Sequence, residues 1–549
     1  MWDTVGTPDP AKAAAYREAG WWRDETFLAD LDHAVASRPD HPAIIAYEHG
    51  RLARILSYAE LATMVARFAG ALTELGVGWG DIVVPYLPNR WMLAPLYLAC
   101  SRIGAVSAPA QPELKGREMG HLLRESRAGV CITVDEFEGT AYGALVAQVA
   151  PPTLRHQVVV GDASRTGGID FEQFFVRTPW EERGRLSATP LGADDPSLLV
   201  FTSGTTGQAK AVVHSQNTIY AAGRSMAVPF GLTAQDIVSI PQLLTHVAGL
   251  MHAVYAPITL GATCVMHDTN NDVDVLLDMV EAHRVTYVHA APRNMTHMIA
   301  AQRARPRDAS SLRLLSSSSA PIPPDMVTNA AEVFGLPLFS CWGMTETGGC
   351  TTTRPDDPPD WAAHSDGRAM PWMEIRVDAE PGSQIGRLLV RGASLCLGYL
   401  NQPEAFAACL DADGWFDTGD MARHDGRGGI RMTGRRVDLI TRATGEKVPT
   451  SEIEAVLQRH PAVGEVVLIG YPDPHMPGSE DVCAVVVPDR SEPPPRLADL
   501  REHLEKEQVT DEAWPDRIEI VTALPKNGLG KVLRTVLRAD IEGRPAQPA

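Results

Sequence analysis

The chain has 549 residues, of which 44% are hydrophobic and 21% charged, and a formal net charge of −19. That length exceeds one typical domain and supplies enough apolar residues for full cores. The acidic balance argues against non-specific nucleic-acid binding, which needs a basic surface to displace counterions, although a pocket can still be locally positive.

The first twenty residues, MWDTVGTPDPAKAAAYREAG, have no basic segment followed by an apolar one and do not read as a secretory signal. From residue 56 to 77 the run LSYAELATMVARFAGALTELGV carries apolar residues at helical spacing and ends at a glycine. DIVVPYLPN follows as a short β-branched run, then a helical stretch to Cys100; its apolar part, residues 91–100, is too short to span a bilayer. A soluble, cytoplasmic protein without membrane insertion is expected. VCITV, HQVVVGD, SLLVFTS and ATCVMH read as strands separated by helical segments, a pattern of largely parallel α/β architecture.

After Gly434 the character changes to a compact α+β pattern: a helix at SEIEAVLQRH, strands at GEVVLIGY and CAVVVPD, and a helix at RLADLREHLEKE. The expected fold is therefore α/β, with a large domain of layered sheets and helices over residues 1–434 and a small α+β domain over 435–549. The eight cysteines (Cys100, Cys131, Cys264, Cys341, Cys350, Cys396, Cys409 and Cys483) form no C-x-x-C pair and read as buried thiols rather than a zinc site or a disulfide framework.

The strand-like run SLLVF leads into TSGTTGQAK, residues 202–210. Its glycines let the backbone curl so that N–H groups face an anion, its hydroxyls add donors or a metal ligand, and its lysine adds a compact positive charge. G-x-x-x-x-G-K-[ST] cannot be laid over it, so it is not a Walker A loop. The string resembles the signature phosphate loop of the adenylate-forming superfamily, the acyl-CoA synthetases and their relatives, and the resemblance runs from near Ser57 to Arg534. Motif spacing is most similar to that of the medium-chain and cyclohexanecarboxylate-type acid–CoA ligases and their diazotase-like relatives.

The resemblance implies a role for each motif. Thr202, Ser203, Gly204, Thr205, Thr206, Gly207 and Lys210 would embrace the phosphates. LLTHVAGL (243–250) resembles the acyl-pocket motif with His246 at its histidine; alone, this residue would read as a core histidine. SSSSAPIPP (316–324) stands where the family has a Gly-Gly-Ala-Pro turn against adenine, so Ser319, Ala320 and Pro321 would border the base, with serines lacking glycine's freedom at positive φ. In CWGMTETG (341–348), Trp342, Gly343 and Met344 would lie near the adenine, Thr345 would contact phosphate and Glu346 would hold Mg²⁺, since a hard cation takes its remaining ligands from phosphate and water. GWFDTGD (414–420) would place Asp420 on the ribose diol, Arg435 would contact ribose and phosphate, and LPKNGLGKVLR (524–534) would make Lys531 the catalytic lysine. Candidate catalytic residues are thus Lys531, Thr206 and His246.

The implied chemistry is attack of a carboxylate on the α-phosphorus of ATP, release of pyrophosphate, and transfer of the acyl group to coenzyme A after the small domain swings about a hinge. Three features depart from the pattern. Val437 occupies a hinge position that commonly carries Asp or Lys, the loop TRATGEKVPTSEIE is one residue longer than usual, and HAAPRNMTHMI (289–299) is unusually polar. If Arg293 and Asn294 face the acid, they favour a second anionic or polar group; Arg293 reads equally as a surface residue at a helix start. The expected activity is an AMP-forming ligase for a small aromatic or alicyclic acid, with ATP, Mg²⁺ and coenzyme A, as a monomer or homodimer. Alternatives are a diazotase that activates nitrite and diazotises an arylamine such as an aminobenzoate, an adenylation enzyme that loads a carrier protein, and a nucleotide-binding regulator without catalysis.

Overall fold

The computed structural model describes residues 2, 5–6, 8–183, 189–202, 210–268, 272–444, 447–472, 479–526 and 532–542. The chain divides into two units, residues 1–374 with 391–410, and residues 375–390 with 411–549. The expected boundary at 434–435 falls within the second.

In the first unit the helical run expected at 56–77 forms α1, Tyr58–Glu74. Ser57 accepts the Glu60 N–H while the Glu60 carboxylate takes the Ser57 N–H, so two of the four orphan donors of the first turn are satisfied. Leu61, Val65, Phe68 and Leu72 recur on one face and are fully buried, each contributing about 1.5–3 kcal/mol. The strand run VCITV is Val130–Val134, buried at every position, as expected for a parallel strand covered on both faces.

Two sheets dominate this unit. The eight-stranded one contains β1 (Pro196–Thr202) and β2 (Lys210–Ser215), an antiparallel pair. From β2 the chain enters α2, Gln216–Phe230, capped by Ser215 and closed by Gly231 in the left-handed conformation. The nine-stranded sheet contains β3 (Ile237–Ser239) and β4 (Tyr287–Ala290), which leads into α3 (Pro292–Ala304). It continues with β5 (Leu314–Ser317), β6 (Leu338–Met344) and β7 (Gly348–Thr352). In space β7, β6, β5, β4 and β3 are successive neighbours, and the pairings from β3 to β6 are parallel. The short β8, Gly398–Tyr399, returns to the edge of the eight-stranded sheet and pairs with β2.

The second unit holds a four-stranded sheet that includes β9 (Phe416–His424) and β10 (Ile430–Arg435), and a three-stranded sheet built on Val463–Pro472 and Glu480–Pro488. Helices Thr450–Leu457 and Leu497–Lys506 contribute Ile453, Leu457, Leu500 and Leu504 to its core. Among the described residues no helix is long and apolar enough to cross a membrane. Seven of the eight cysteines are buried and all eight are unbridged.

Candidate functional site

Ligands of open parallel sheets bind beyond the carboxyl ends of the strands, and the motif residues of the first unit gather there. Ser203, Gly204, Thr205, Thr206 and Gly207 lie outside the described residues. The ends of their loop are fixed: Thr202 closes β1, Lys210 opens β2, the two are partners across the antiparallel pair, and Thr202 Oγ1 donates to the Lys210 carbonyl at 3.5 Å. The Lys210 ammonium lies 4.6 Å from the centre of the Tyr399 ring.

β6 and β7 form an antiparallel hairpin whose turn carries Thr345 and Glu346. Gly348, at φ +59°, and Gly349 bring this hairpin against α2. A Cβ on Gly348 would stand 2.6 Å from the Ala222 Cβ, and one on Gly349 2.2 Å from the Ser225 Oγ. Only glycine permits that approach.

The turn is joined to β2 and β8 by three hydrogen bonds. His214 Nε2 donates to the Thr345 carbonyl at 2.8 Å, the Cys396 N–H donates to the Glu346 carbonyl at 2.7 Å, and the Tyr399 hydroxyl donates to Glu346 Oε1 at 2.7 Å. Glu346 is 7% exposed. Burial, reinforced by the Glu346 charge, pushes the Tyr399 hydroxyl far above its ordinary pKa, so it acts only as a donor. A carboxylate held at one oxygen, beside the mouth of a hydroxyl-rich loop, is the oxygen donor that Mg²⁺ requires, so the residues present fit that ion. Among the described residues, no group of three His, Cys, Asp or Glu side chains converges on a metal position.

Of the residues expected beside adenine, Ser319, Ala320 and Pro321 follow β5, and Trp342, Gly343 and Met344 close β6, its parallel neighbour. Ser319 takes φ +80°, in the left-handed region that favours glycine, so the turn carries the strain of a side chain there. Ser319, Ala320, Pro321 and Gly343 are exposed, while Trp342, Met344 and Thr345 are half-buried.

Of the residues expected to border the acid, His246 is half-buried and caps the helical run 247–255, its Nδ1 accepting the Ala248 N–H at 3.4 Å; burial lowers its pKa. Asn294 is buried and donates to the Pro241 carbonyl at 3.1 Å, while the Asn89 amide donates to the Gln242 carbonyl at 2.9 Å and its oxygen accepts the Leu244 N–H at 2.8 Å. The segment leading to His246 is thereby held from two sides. Arg293, the second residue of α3, is exposed, so the cost of a buried guanidinium does not arise.

Two further histidines are buried: His289, which opens the polar stretch 289–299, and His252, which no motif singles out. His289, near the carboxyl end of β4, bonds Ser316 Oγ at 2.7 Å and Ser318 Oγ at 2.9 Å. His252 lies with its ring centre 6.1 Å from that of His289; the ring approaches the Gly223 backbone, and its Nδ1 is buried without a hydrogen bond of ordinary geometry among the described residues. Burial drives His252 down to about 4 and His289 to about 3, so both imidazoles are neutral at pH 7.

In the second unit Asp420 and Arg435 are partners across β9 and β10, with Arg435 Nε 3.2 Å from Asp420 Oδ1. Thr418 donates to the Leu388 carbonyl at 2.8 Å and accepts the Asp420 N–H at 3.1 Å. Asp417 takes the Gly419 N–H at 2.9 Å and Arg436 at 2.7 Å. The turn ahead of Asp420 is thus fixed by its own motif, and the carboxylate is 7% exposed. Lys531 lies outside the described residues. Val437 is 60% exposed in the short turn Arg436–Asp438.

Comparison with known proteins bears on this arrangement. The family model for AMP-binding enzymes matches residues 31–400, and that for the AMP-binding enzyme C-terminal domain matches 452–531. The indoleacetate–CoA ligase of Aromatoleum aromaticum is 33% identical over 501 residues, 88% of this chain and 93% of that one. The salicyl-AMP ligase / salicyl-S-ArCP synthetase of Mycobacterium tuberculosis is 30% identical over 543 residues, 96% and 92% of the two chains. The crystal structure of the anthranilate CoA ligase AuaEII with anthranoyl-AMP superposes with a TM-score of 0.82 at 24% identity, covering 94% of this chain and 97% of that one, a likeness of fold. The chain therefore belongs to the AMP-binding enzymes and is an adenylate-forming ligase.

Proposed function

We propose that this ligase activates a small aromatic or alicyclic acid carrying neutral hydrogen-bonding substituents, and transfers it to coenzyme A. A carboxylate oxygen of the acid attacks the α-phosphorus of ATP, the bond to the β-phosphate oxygen breaks, and pyrophosphate leaves. The thiolate of coenzyme A then attacks the carbonyl of the mixed anhydride and AMP departs.

The negative charges that converge in the first step make positioning and neutralisation the main work of the protein. On this reading Lys210 and the loop 203–209 receive the phosphates, with Thr206 and Lys531 acting at the reacting group. Glu346 holds Mg²⁺, which when bound screens the phosphate charge. Trp342, Gly343, Met344 and the turn of Ser319, Ala320 and Pro321 border the adenine, Thr345 contacts phosphate, and Asp420 and Arg435 take the ribose. His246 and Asn294 border the acid, with Arg293 at its mouth. The small domain, residues 435–549, moves about the turn at Val437.

The observation that carries the acid class is the buried pair of neutral imidazoles. A buried polar atom without a partner costs free energy that a substrate substituent can recover. His252 Nδ1 is such an atom, and it lies among the elements that follow β3, β4 and β5. A neutral imidazole favours a hydroxyl or amino group on the ring, and gives no electrostatic return for a second carboxylate.

The same polar lining favours a second reading, a diazotase in which nitrite is the adenylated anion and an arylamine occupies the acid site. The salicyl-activating relative, whose name includes a carrier-protein product, makes a carrier protein a third acceptor. One experiment separates them: ATP–pyrophosphate exchange across carboxylic acids and nitrite, repeated with and without coenzyme A. Exchange with hydroxy- or amino-substituted benzoates, and a thioester when coenzyme A is added, is the expected result. Exchange that needs nitrite and an arylamine, indifferent to coenzyme A, overturns it in favour of the diazotase; acyl-AMP that persists with coenzyme A present points to a carrier protein.

A further inference from the structure

Lys210 and Glu346 carry opposite charges at the mouth of the phosphate loop, and a flexible lysine beside a carboxylate ordinarily closes into an ion pair. Here Tyr399 meets both. Its hydroxyl donates to Glu346 Oε1 at 2.7 Å, and its ring centre lies 4.6 Å from the Lys210 ammonium. A cation over an aromatic face is attracted by the negative face of the ring, which fixes an otherwise mobile four-carbon stem.

Tyr399 is itself held on every side. It is 1% exposed, pairs with Val212 through β8, and takes the edge of Phe406 with ring centres 5.3 Å apart. The flanking backbone donates from Leu397 to the Val213 carbonyl at 2.8 Å and from Leu400 to the Ala211 carbonyl at 2.9 Å. Cys396 adds its N–H to the Glu346 carbonyl, so one short segment grips the carboxylate residue by backbone and side chain.

We propose that Tyr399 is a positioning residue of the adenylation site, a spacer that holds the Lys210 ammonium for phosphate and the Glu346 carboxylate for the metal while keeping the two from pairing with each other. The proposal rests on the reading of Glu346 as the Mg²⁺ residue and Lys210 as a phosphate contact. The hydroxyl and the ring have separable duties, because phenylalanine keeps the face and loses the donor, whereas leucine loses both.

The test uses full-length Tyr399→Phe, Tyr399→Leu and Glu346→Gln. ATP binding is measured by calorimetry with Mg²⁺ and again with EDTA, and the Mg²⁺ concentration for half-maximal pyrophosphate exchange is measured in parallel. For Tyr399→Phe the expected result is Mg²⁺-free ATP affinity within twofold of the parent and a rise of about tenfold in the Mg²⁺ requirement, the size of one lost hydrogen bond to a charged group. Tyr399→Leu weakens ATP binding without Mg²⁺ as well. If Glu346→Gln leaves the Mg²⁺ requirement unchanged, the metal reading fails and the proposal with it. If Glu346→Gln raises it but Tyr399→Phe does not, the spacer role alone is overturned. Equal loss of ATP affinity with and without Mg²⁺ in Tyr399→Phe also overturns it, because a merely structural defect has that signature. Should Tyr399→Leu fail to fold, the phenylalanine variant still decides.

Discussion

Lowering the pH from 7 to 5 should strip a large part of the stability of the first unit, because it buries neutral histidines. His214 and His289 are 0% exposed and His252 is 4% exposed. Desolvation is the largest cause of each shift, and it takes His214 and His252 down to about 4 and His289 to about 3. The folded values lie below the ordinary value near 6.5, so between them the unfolded chain binds protons that the folded chain does not. Stability from these groups is fully present above about pH 6.5 and is lost as pH falls toward 4. From pH 7 to 5 the loss is about 2 kcal/mol for each imidazole and about 6 kcal/mol for the three, and His267, also buried in this unit and taken down to about 4, adds about 2 kcal/mol more, against a typical total of 5–15 kcal/mol. Glu113, whose pKa burial raises, works in the opposite direction, and one carboxyl does not cancel three imidazoles. Urea unfolding followed by tryptophan fluorescence at pH 7, 6, 5.5 and 5 measures the slope, and His289→Gln should remove about 2 kcal/mol of the change. Stability that changes by less than about 1 kcal/mol between pH 7 and 5 would refute the reasoning.

Two further predictions concern the backbone around the site. Gly349→Ala puts a methyl 2.2 Å from Ser225 Oγ and 2.8 Å from Ser225 Cβ, and should cost about 1–3 kcal/mol in thermal or chemical unfolding; Ser225→Gly in the same chain should restore most of it, and absence of rescue would place the cost elsewhere. Ser319→Gly relieves a side chain at φ +80° and should leave stability unchanged or raise it by up to about 1 kcal/mol, whereas Ser319→Val should lower it by about 1–2 kcal/mol. Equal melting temperatures for the glycine and valine variants would show that the turn adapts.

What the sequence made legible follows from how each residue works. The roles expected of the 202–210 loop, the Thr345–Glu346 turn and the Asp417–Asp420 turn rest on adjacent residues, so they are written as short strings. The amphipathic run of α1 is legible for the same reason, since its capping pair and apolar face lie within one helix. Tyr399 and His214 were not legible. Tyr399 reaches Glu346 across 53 positions and His214 reaches Thr345 across 131, and each contact exists because β8 and β2 are neighbours in the eight-stranded sheet. The approach of His252 to His289 depends likewise on tertiary packing, across 37 positions of sequence. A lone histidine in an apolar strand carries no mark of that partner. Arg293 shows the converse, since a polar string names the residue types but not the face of α3 on which each one falls.

On the proposed reading the electrostatics of the two halves of the site differ in kind, and the difference restricts the acid. On that reading charge is offered on the phosphate side, where Tyr399 lies 4.6 Å from the Lys210 ammonium and donates to Glu346 at 2.7 Å. On the acid side the buried groups are neutral imidazoles, an amide and hydroxyls, because burial without a counter-charge removes the proton from histidine. On the proposed reading, the carboxylate that attacks phosphorus has its charge met from the nucleotide side. A second carboxylate deeper in the site would be desolvated among these neutral groups, at a cost of several kcal/mol. A hydroxyl or amino group would instead give His252 Nδ1 the partner it lacks among the described residues. A monoanionic, ring-substituted acid is therefore the substrate for which the two halves of the site do not oppose each other.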